Sequence, residues 1–316
     1  MKKKILVTGS MGFIGSHWVK RLVAEGYKVT GIDIKPLENS FKNLKNFSYI
    51  KVSVFNYKTV EKFIKKNDII CHFAGVAEPM QYLKKTKFTI QLTLLPSFKI
   101  IDFCCKYKKK LIFTSTSEIY GKLNKVPFKE DSDRFLGSPQ TNRWCYSTSK
   151  SLVEHYITAS NKENNLDFII FRLFNVYGPG LQGRVVDEFI KKSILNKKIL
   201  INGNGKQTRS FLFIEDCIDA FFNVFKKNVK NEVFNVGSNK EISVLQLAKK
   251  IKKICKSNST ILFNSKKFTK VGGYEDIPKR VPSIDKLKKK IKWKPKINLE
   301  KGLLIMKNYI IENIKG

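Results

Sequence analysis

The chain has 316 residues, a length that sets an expectation of about two domains or one large one. Hydrophobic residues make up 42% and charged residues 28%, which excludes a globally disordered chain, and no run approaches the roughly 18 consecutive apolar residues of a membrane helix. Lys and Arg total 61 against 26 Asp and Glu, a net charge of +35, yet only seven of the basic residues are Arg. The lysines are scattered in pairs and triples such as Lys108-Lys109-Lys110 and Lys288-Lys289-Lys290. Arg is the better fork for phosphates and base edges, so the charge reads as solvated lysine faces with no specific nucleic-acid or membrane partner. Such a field still attracts an anionic small molecule.

At the N-terminus, Lys2-Lys3-Lys4 followed by Ile5-Leu6-Val7 has the charge of a secretion signal. The apolar run breaks at Thr8-Gly9-Ser10, too short for an h-region. Strands are predicted over 4–8, 28–32, 47–52, 69–73, 111–114 and 168–173, with helices between them over 13–25, 59–65, 97–106 and 147–162. Strands alternating with helices give an α/β fold, a Rossmann-type doubly wound parallel sheet covered by helices. The chain beyond residue 175 mixes short strands, Gly/Pro-rich loops and helices near 185–195, 244–255 and 299–311. Residues 1–176 are therefore expected to form the sheet domain, with 212–238 returning to it. Residues 177–211 and 239–316 are expected to form a smaller, partly interleaved C-terminal substrate lobe. The six cysteines, Cys71, Cys104, Cys105, Cys145, Cys217 and Cys255, form no Cys-x-x-Cys pair, and with three histidines they offer no metal ligand set at a recognised spacing. They read as small hydrophobes with reduced thiols, which fits a cytoplasmic protein.

The first strand runs into Thr8-Gly9-Ser10-Met11-Gly12-Phe13-Ile14-Gly15, a G-x-x-G-x-x-G turn that opens a helix. Glycines at the start allow a tight turn and close backbone approach. The last lets the helix pack on the sheet with its N-terminus facing a pyrophosphate. Asp33 ends the second strand 18 residues past Gly15, where a carboxylate accepts ribose hydroxyls and repels a 2′-phosphate, favouring NAD over NADP. Two further segments carry chemistry. Tyr146 and Lys150 stand four apart on one helix face, and a nearby ammonium lowers a phenol's pKa so that it can act as a base. Ser115-Thr116-Ser117-Glu118-Ile119-Tyr120-Gly121 follows a strand and sets a hydroxyl and a carboxylate at the sheet's carboxyl edge, where ligands of such sheets bind.

With these motifs in this order, the sequence resembles the extended short-chain dehydrogenase/reductase family, the NAD-dependent nucleotide-sugar epimerases and dehydratases. The likeness extends over essentially the whole chain. It includes His72-Phe73-Ala74-Gly75, Phe171-Arg172-Leu173-Phe174-Asn175-Val176-Tyr177-Gly178-Pro179, Gln207-Thr208-Arg209-Ser210-Phe211 and Phe234-Asn235-Val236-Gly237. The resemblance implies NAD held by Gly9, Gly12, Phe13, Ile14, Gly15, Asp33, Ser53 and Val54, together with Tyr146 and Lys150. It implies a hydride-transfer triad of Thr116, Tyr146 and Lys150, and places Asn175, Arg184 and Arg209 near the nucleotide diphosphate. A homodimer is usual in the family.

Family members share C4 oxidation and diverge afterwards. Dehydratases read Ser-Thr-Asp-Glu, the Asp expelling the C6 hydroxyl; here that place is Ser117, which cannot protonate a leaving group. Ser-Thr-Ser-Glu-x-Tyr-Gly is similar to the UDP-glucuronate decarboxylases, as are Pro79-Met80-Gln81-Tyr82, Arg143-Trp144-Cys145-Tyr146 and Gly273-Tyr274-Glu275-Asp276 with Arg280. By that likeness Tyr82, Ser117, Arg143, Asn175 and Tyr274 help hold the substrate, while Glu118 and Arg280 act at the C5 carboxylate. Two features depart from the family: Ser53 stands where an Asp usually contacts adenine, and Thr93 and Pro96 replace an Asn and a Gly, altering the expected start of a long helix. A nucleotide-sugar 4-epimerase is the alternative reaction, a 4,6-dehydratase less so, and a non-catalytic RNA-binding relative is the rival of a different class.

Overall fold

The computed structural model describes residues 2–76, 78–264, 277 and 279–315. The first elements are β1 (Lys4–Thr8), α1 (Phe13–Ala24), β2 (Lys28–Asp33), β3 (Phe47–Lys51), α2 (Tyr57–Lys66), β4 (Ile69–His72), α3 (Pro79–Lys84), α4 (Thr86–Lys106) and β5 (Lys110–Thr116). Then come α5 (Trp144–Asn164), β6 (Phe168–Leu173), β7 (Val176–Tyr177), α6 (Val185–Ile194), β8 (Ile199–Asn202), β9 (Thr208–Ser210), β10 (Leu212–Phe213) and α7 (Ile214–Lys226). The last are β11 (Glu232–Val236), β12 (Glu241–Ser243), α8 (Val244–Ile254), β13 (Ile261–Asn264), α9 (Asp285–Ile291) and α10 (Leu299–Lys315).

The chain divides into two compact units. The first comprises residues 1–119, 142–172 and 224–234, and the second 120–141, 173–223 and 235–316. This differs from the sequence expectation in three places: residues 120–141 and 173–176 join the second unit, and the return to the first is the shorter 224–234. The 120–141 loop is tied to its own unit by backbone bonds from Phe128 N to Val281 O and from Ser283 N to Phe128 O.

The central sheet has the strand order β11-β6-β5-β4-β1-β2-β3, with β3-β2-β1-β4-β5 paired in parallel. Strands β1, β4 and β5 are runs of β-branched and apolar residues because both faces of a parallel sheet are covered. Leu6, Ile70, Leu111, Phe113 and Ile170 of the strands pack with Ile100, Ile101 and Cys104 of α4 and Val153 and Ile157 of α5. Strand order reverses between β1 and β4, the switch point at which such sheets bind ligands beyond their carboxyl ends.

Helix α4 corrects the sequence reading, since it starts at Thr86 and runs through Pro96. Losing one backbone donor is outweighed by a buried face of Thr89, Thr93, Ser97, Ile100, Ile101 and Cys104. By length and composition alone it would also suit a membrane span, although it has no unbroken apolar run and Ile100, Ile101 and Cys104 sit in the core. In the second unit, β7 pairs with β10, β9 with β12 and β8 with β13. The carboxylate of Asp216 on α7 accepts from the backbone N–H groups of Lys296 and Ile297 just before α10.

Candidate active site

The first unit gathers the glycine turn, Asp33, Thr116, Glu118, Arg143, Tyr146 and Lys150 on elements that end at, or pack on, the carboxyl edge of the sheet. The turn leaves β1 and enters α1 at Gly12, its N-cap. A Cβ on Gly15 would lie 2.0 Å from the Gly9 carbonyl oxygen, and one on Gly9, whose φ is +71°, would lie 2.7 Å from Ala74 N. Side chains are therefore excluded where a pyrophosphate must meet bare backbone, and Phe13 and Ile14 begin the helix half-buried. Asp33 Oδ2 accepts from Met11 N at 2.9 Å and Oδ1 from Lys35 N at 3.0 Å, which fixes the carboxylate beside the turn. This cradle and acceptor fit a dinucleotide. Ser53 Oγ accepts from Phe55 N at 3.2 Å, so its hydroxyl closes a local turn, and Val54 is buried beside it.

Helix α5 starts at Trp144, three residues earlier than its sequence pattern predicts, so Tyr146 stands in the first helical turn. Two bonds lock this helix to the end of β5. Lys150 Nζ donates to Thr114 O at 2.9 Å, and Ser147 Oγ donates to Glu118 O at 2.8 Å. Thr116 closes β5, and its Oγ1 accepts from Glu118 N at 3.2 Å. Ser117, only 2% exposed, opens the following 3-10 turn. Lys150 is buried over the Phe113 ring, and that burial pushes its pKa down to about 8 against the opposing pull of Glu154.

Sequence reasoning assigned Glu118 and Arg143 separately to the substrate. In the structure Arg143 Nη2 sits 3.1 and 2.9 Å from the two oxygens of Glu118, a buried ion pair. No spacing rule signals it, because the partners lie on a 3-10 turn and a helix start 25 residues apart. His72, the last residue of β4, is buried and hydrogen-bonded through both ring nitrogens.

The remaining described site residues lie in the second unit. Asn175 adopts the left-handed conformation, φ +36°, which Asn tolerates better than most side chains. Its Nδ2 donates to Ser210 O at 3.0 Å, and its Oδ1 accepts from Arg280 Nη2 at 3.3 Å, so one amide links β9 to Arg280. Arg209 is buried, its Nη1 donating to Ile277 O and Thr208 O, both at 2.7 Å. Arg184 is the half-buried N-cap residue of α6. Tyr82 lies in α3 with its side chain outside the described part, and Tyr274 lies outside the described residues. None of the six cysteines forms a disulfide, and burial drives the thiols of Cys71 (to about 12), Cys104 and Cys217 upward, away from nucleophilic chemistry.

The chain is 38% identical over 338 aligned residues to the bifunctional polymyxin resistance protein ArnA of Wigglesworthia glossinidia brevipalpis, covering 98% of this chain but 52% of that one. It thus spans about half the length of that relative. It is 33% identical over 310 residues to a UDP-N-acetyl-alpha-D-glucosaminuronate decarboxylase of Bacillus cytotoxicus, covering 96% of each. Its fold is similar, with a TM-score of 0.87 and 28% identity over 98% of this chain and 99% of the other, to the crystal structure of UDP-glucuronic acid 4-epimerase from Bacillus cereus in complex with UDP-glucuronic acid and NAD. Residues 5–237, from β1 through β11 and so including the glycine turn and the Thr116, Tyr146 and Lys150 positions, match one family description throughout, and the chain belongs to the NAD dependent epimerase/dehydratase family.

Proposed function

We propose that the protein decarboxylates a UDP-hexuronate, with UDP-glucuronate as the leading substrate, after oxidising the sugar C4 hydroxyl. The observation that carries this proposal is the Thr116-Ser117-Glu118 turn at the end of β5. It carries a hydroxyl and a carboxylate held by Arg143, it is bonded to α5 at Ser147, next to Tyr146 in the chain, and it has a buried serine where a dehydratase needs an acid. The full-length likeness to a uronate decarboxylase supports it.

Bound NAD supplies the two-electron oxidant. Thr116 orients the C4 hydroxyl, and Tyr146 removes its proton with the Lys150 ammonium nearby to stabilise the phenolate. The product is a β-keto acid, which loses carbon dioxide because the resulting enolate spreads its charge. Arg280, held by Asn175 in the second unit, supplies positive charge suited to a carboxylate or enolate, and Glu118 relays a proton to C5. The second reading, a 4-epimerase, is favoured by the likeness to the Bacillus cereus enzyme and needs the same Thr, Tyr and Lys without carbon dioxide loss.

The test incubates the protein with UDP-glucuronate and NAD, and follows nucleotide-sugar mass together with NADH absorbance. Loss of one carbon dioxide is the expected result; stable NADH would then mean that a 4-keto pentose is released. Interconversion of nucleotide sugars at constant mass would overturn the proposal in favour of the epimerase.

We further propose a cytoplasmic homodimer. The free thiols suit a reducing compartment. Phe88 and Leu95, seven residues apart on α4, are 48% and 47% exposed, and Leu152 on α5 is 45% exposed. An apolar face of this kind suits a second copy of the same helices.

A further inference from the structure

We propose that His72 is a positioning residue for the dinucleotide turn, holding Thr8 at the mouth of that turn through a one-way chain of hydrogen bonds. His72 is the last residue of β4 and is 1% exposed. Ser97 Oγ lies 2.5 Å from the Thr93 carbonyl oxygen, an acceptor only, so the serine's single proton is spent there. Ser97 Oγ must then accept from His72 Nε2, 2.9 Å away, and that nitrogen carries the ring's hydrogen. Nδ1 is left bare and accepts from the Thr8 hydroxyl at 2.8 Å. Thr8 Oγ1 in turn accepts from Ala74 N at 3.4 Å. Every donor in the row is used once, and the direction cannot reverse because both ends are fixed by backbone groups.

The row crosses the exits of β1 and β4, where the cofactor turn begins. Thr8 immediately precedes Gly9, and a Cβ on Gly9 would lie 2.7 Å from Ala74 N, so the exits of β1 and β4 run at contact distance. The Thr8 hydroxyl sits between His72 and Ala74 and fastens those exits together. The other end of the row is anchored one layer away, on Thr93 and Ser97 of α4. A neutral ring also places no second charge beside Lys150, and burial together with the Lys150 ammonium pushes the imidazole pKa down to about 3.

The test uses three substitutions and NAD titrated calorimetrically into nucleotide-free protein. In His72→Asn the amide oxygen reaches the place of Nδ1 and still accepts from Thr8. In His72→Gln the amide reaches the place of Nε2 and leaves Thr8 without its acceptor, and His72→Phe removes both bonds. The expected result is an NAD Kd raised about tenfold in the Gln and Phe variants and within about twofold of the parent in Asn, the scale of one buried hydrogen bond. Nitrogen NMR of the parent should show Nε2 protonated and Nδ1 bare. An Nδ1–H tautomer, equal affinity in all three variants, or equal loss in all three would overturn the proposal. If the His72 variants do not fold, Thr8→Ser and Thr8→Val give the same contrast: Ser keeps the NAD affinity and Val loses it, and identical affinities would overturn the proposal.

Discussion

Arg143 holds the Glu118 carboxylate through a single nitrogen placed 3.1 and 2.9 Å from its two oxygens, with only 2% and 11% of the two side chains exposed. Removing the cation leaves a carboxylate stranded in a buried site. Arg143→Met should therefore destabilise the fold by about 3–5 kcal/mol, the usual cost of breaking a buried pair. Adding Glu118→Gln to that variant should recover a large part of the loss. Urea unfolding of the single and double variants checks this, and an additive double variant would show that the two side chains are not coupled.

Lys150 gives a pH signature. Its pKa is pushed down to about 8 by burial, from the usual 10.5. Between those values the unfolded chain holds a proton that the folded protein has released, so unfolding takes up a proton and this group's contribution to stability rises with pH. Below about 8 the buried ammonium costs the fold about 3 kcal/mol relative to an unshifted lysine. Lys150→Met should abolish turnover and yet raise stability at pH 7 by about 1–2 kcal/mol, after allowing for the lost bond to the Thr114 carbonyl. The gain should shrink as pH rises from about 8 towards 10.5. Thermal melts at pH 7 and pH 10 measure it, and a lower midpoint at pH 7 would contradict it.

The glycine turn has no room at residue 15, where a Cβ would fall 2.0 Å from the Gly9 carbonyl oxygen and 2.8 Å from the carbonyl carbon. Gly15→Ala must push the turn away from the helix start. NAD affinity should fall by at least about tenfold, read by calorimetry on protein whose circular dichroism matches the parent. Affinity close to the parent's would mean the turn opens freely.

The exposed face of α4 makes a prediction about assembly. Phe88→Glu combined with Leu95→Glu puts two charges on a face whose residues are not in the core, so the chain should fold and sediment as a monomer while the parent sediments as a dimer. A parent that sediments as a monomer would remove the homodimer from the proposal.

Much of the first unit was legible because its signals are local. The boundaries of β1 and β6 match their β-branched runs, and the turn between Gly9 and Gly15 follows from glycine spacing. Helix α4 was cut short because Pro96 reads as a boundary, whereas the burial of Thr89 and Thr93 continues the helix across it. Tyr146, Lys150 and Thr116 stand out in the sequence by motif alone. The bonds that fix them, Lys150 to Thr114 and Ser147 to Glu118, span 36 and 29 residues and leave no periodic trace. Likewise, Arg143 reads as a ligand contact until the fold shows Glu118 against it. Assigning residues 120–141 to the first domain failed because its ties to Val281 and Ser283 connect chain ends about 150 residues apart, beyond any local pattern.

The two units share the chain in alternation, three stretches to each, and the first is completed by residues 224–234. That last stretch leads into β11, which closes one edge of the central sheet against β6. During synthesis, the nucleotide-binding half therefore cannot finish its sheet until residue 236 has left the ribosome, by which time residues 120–141 and 173–223 of the second half are already present. No single cut yields two independent fragments: a piece ending at 119 lacks α5 with Tyr146 and Lys150, and a piece ending at 172 leaves the β6 edge open to pairing with a neighbour.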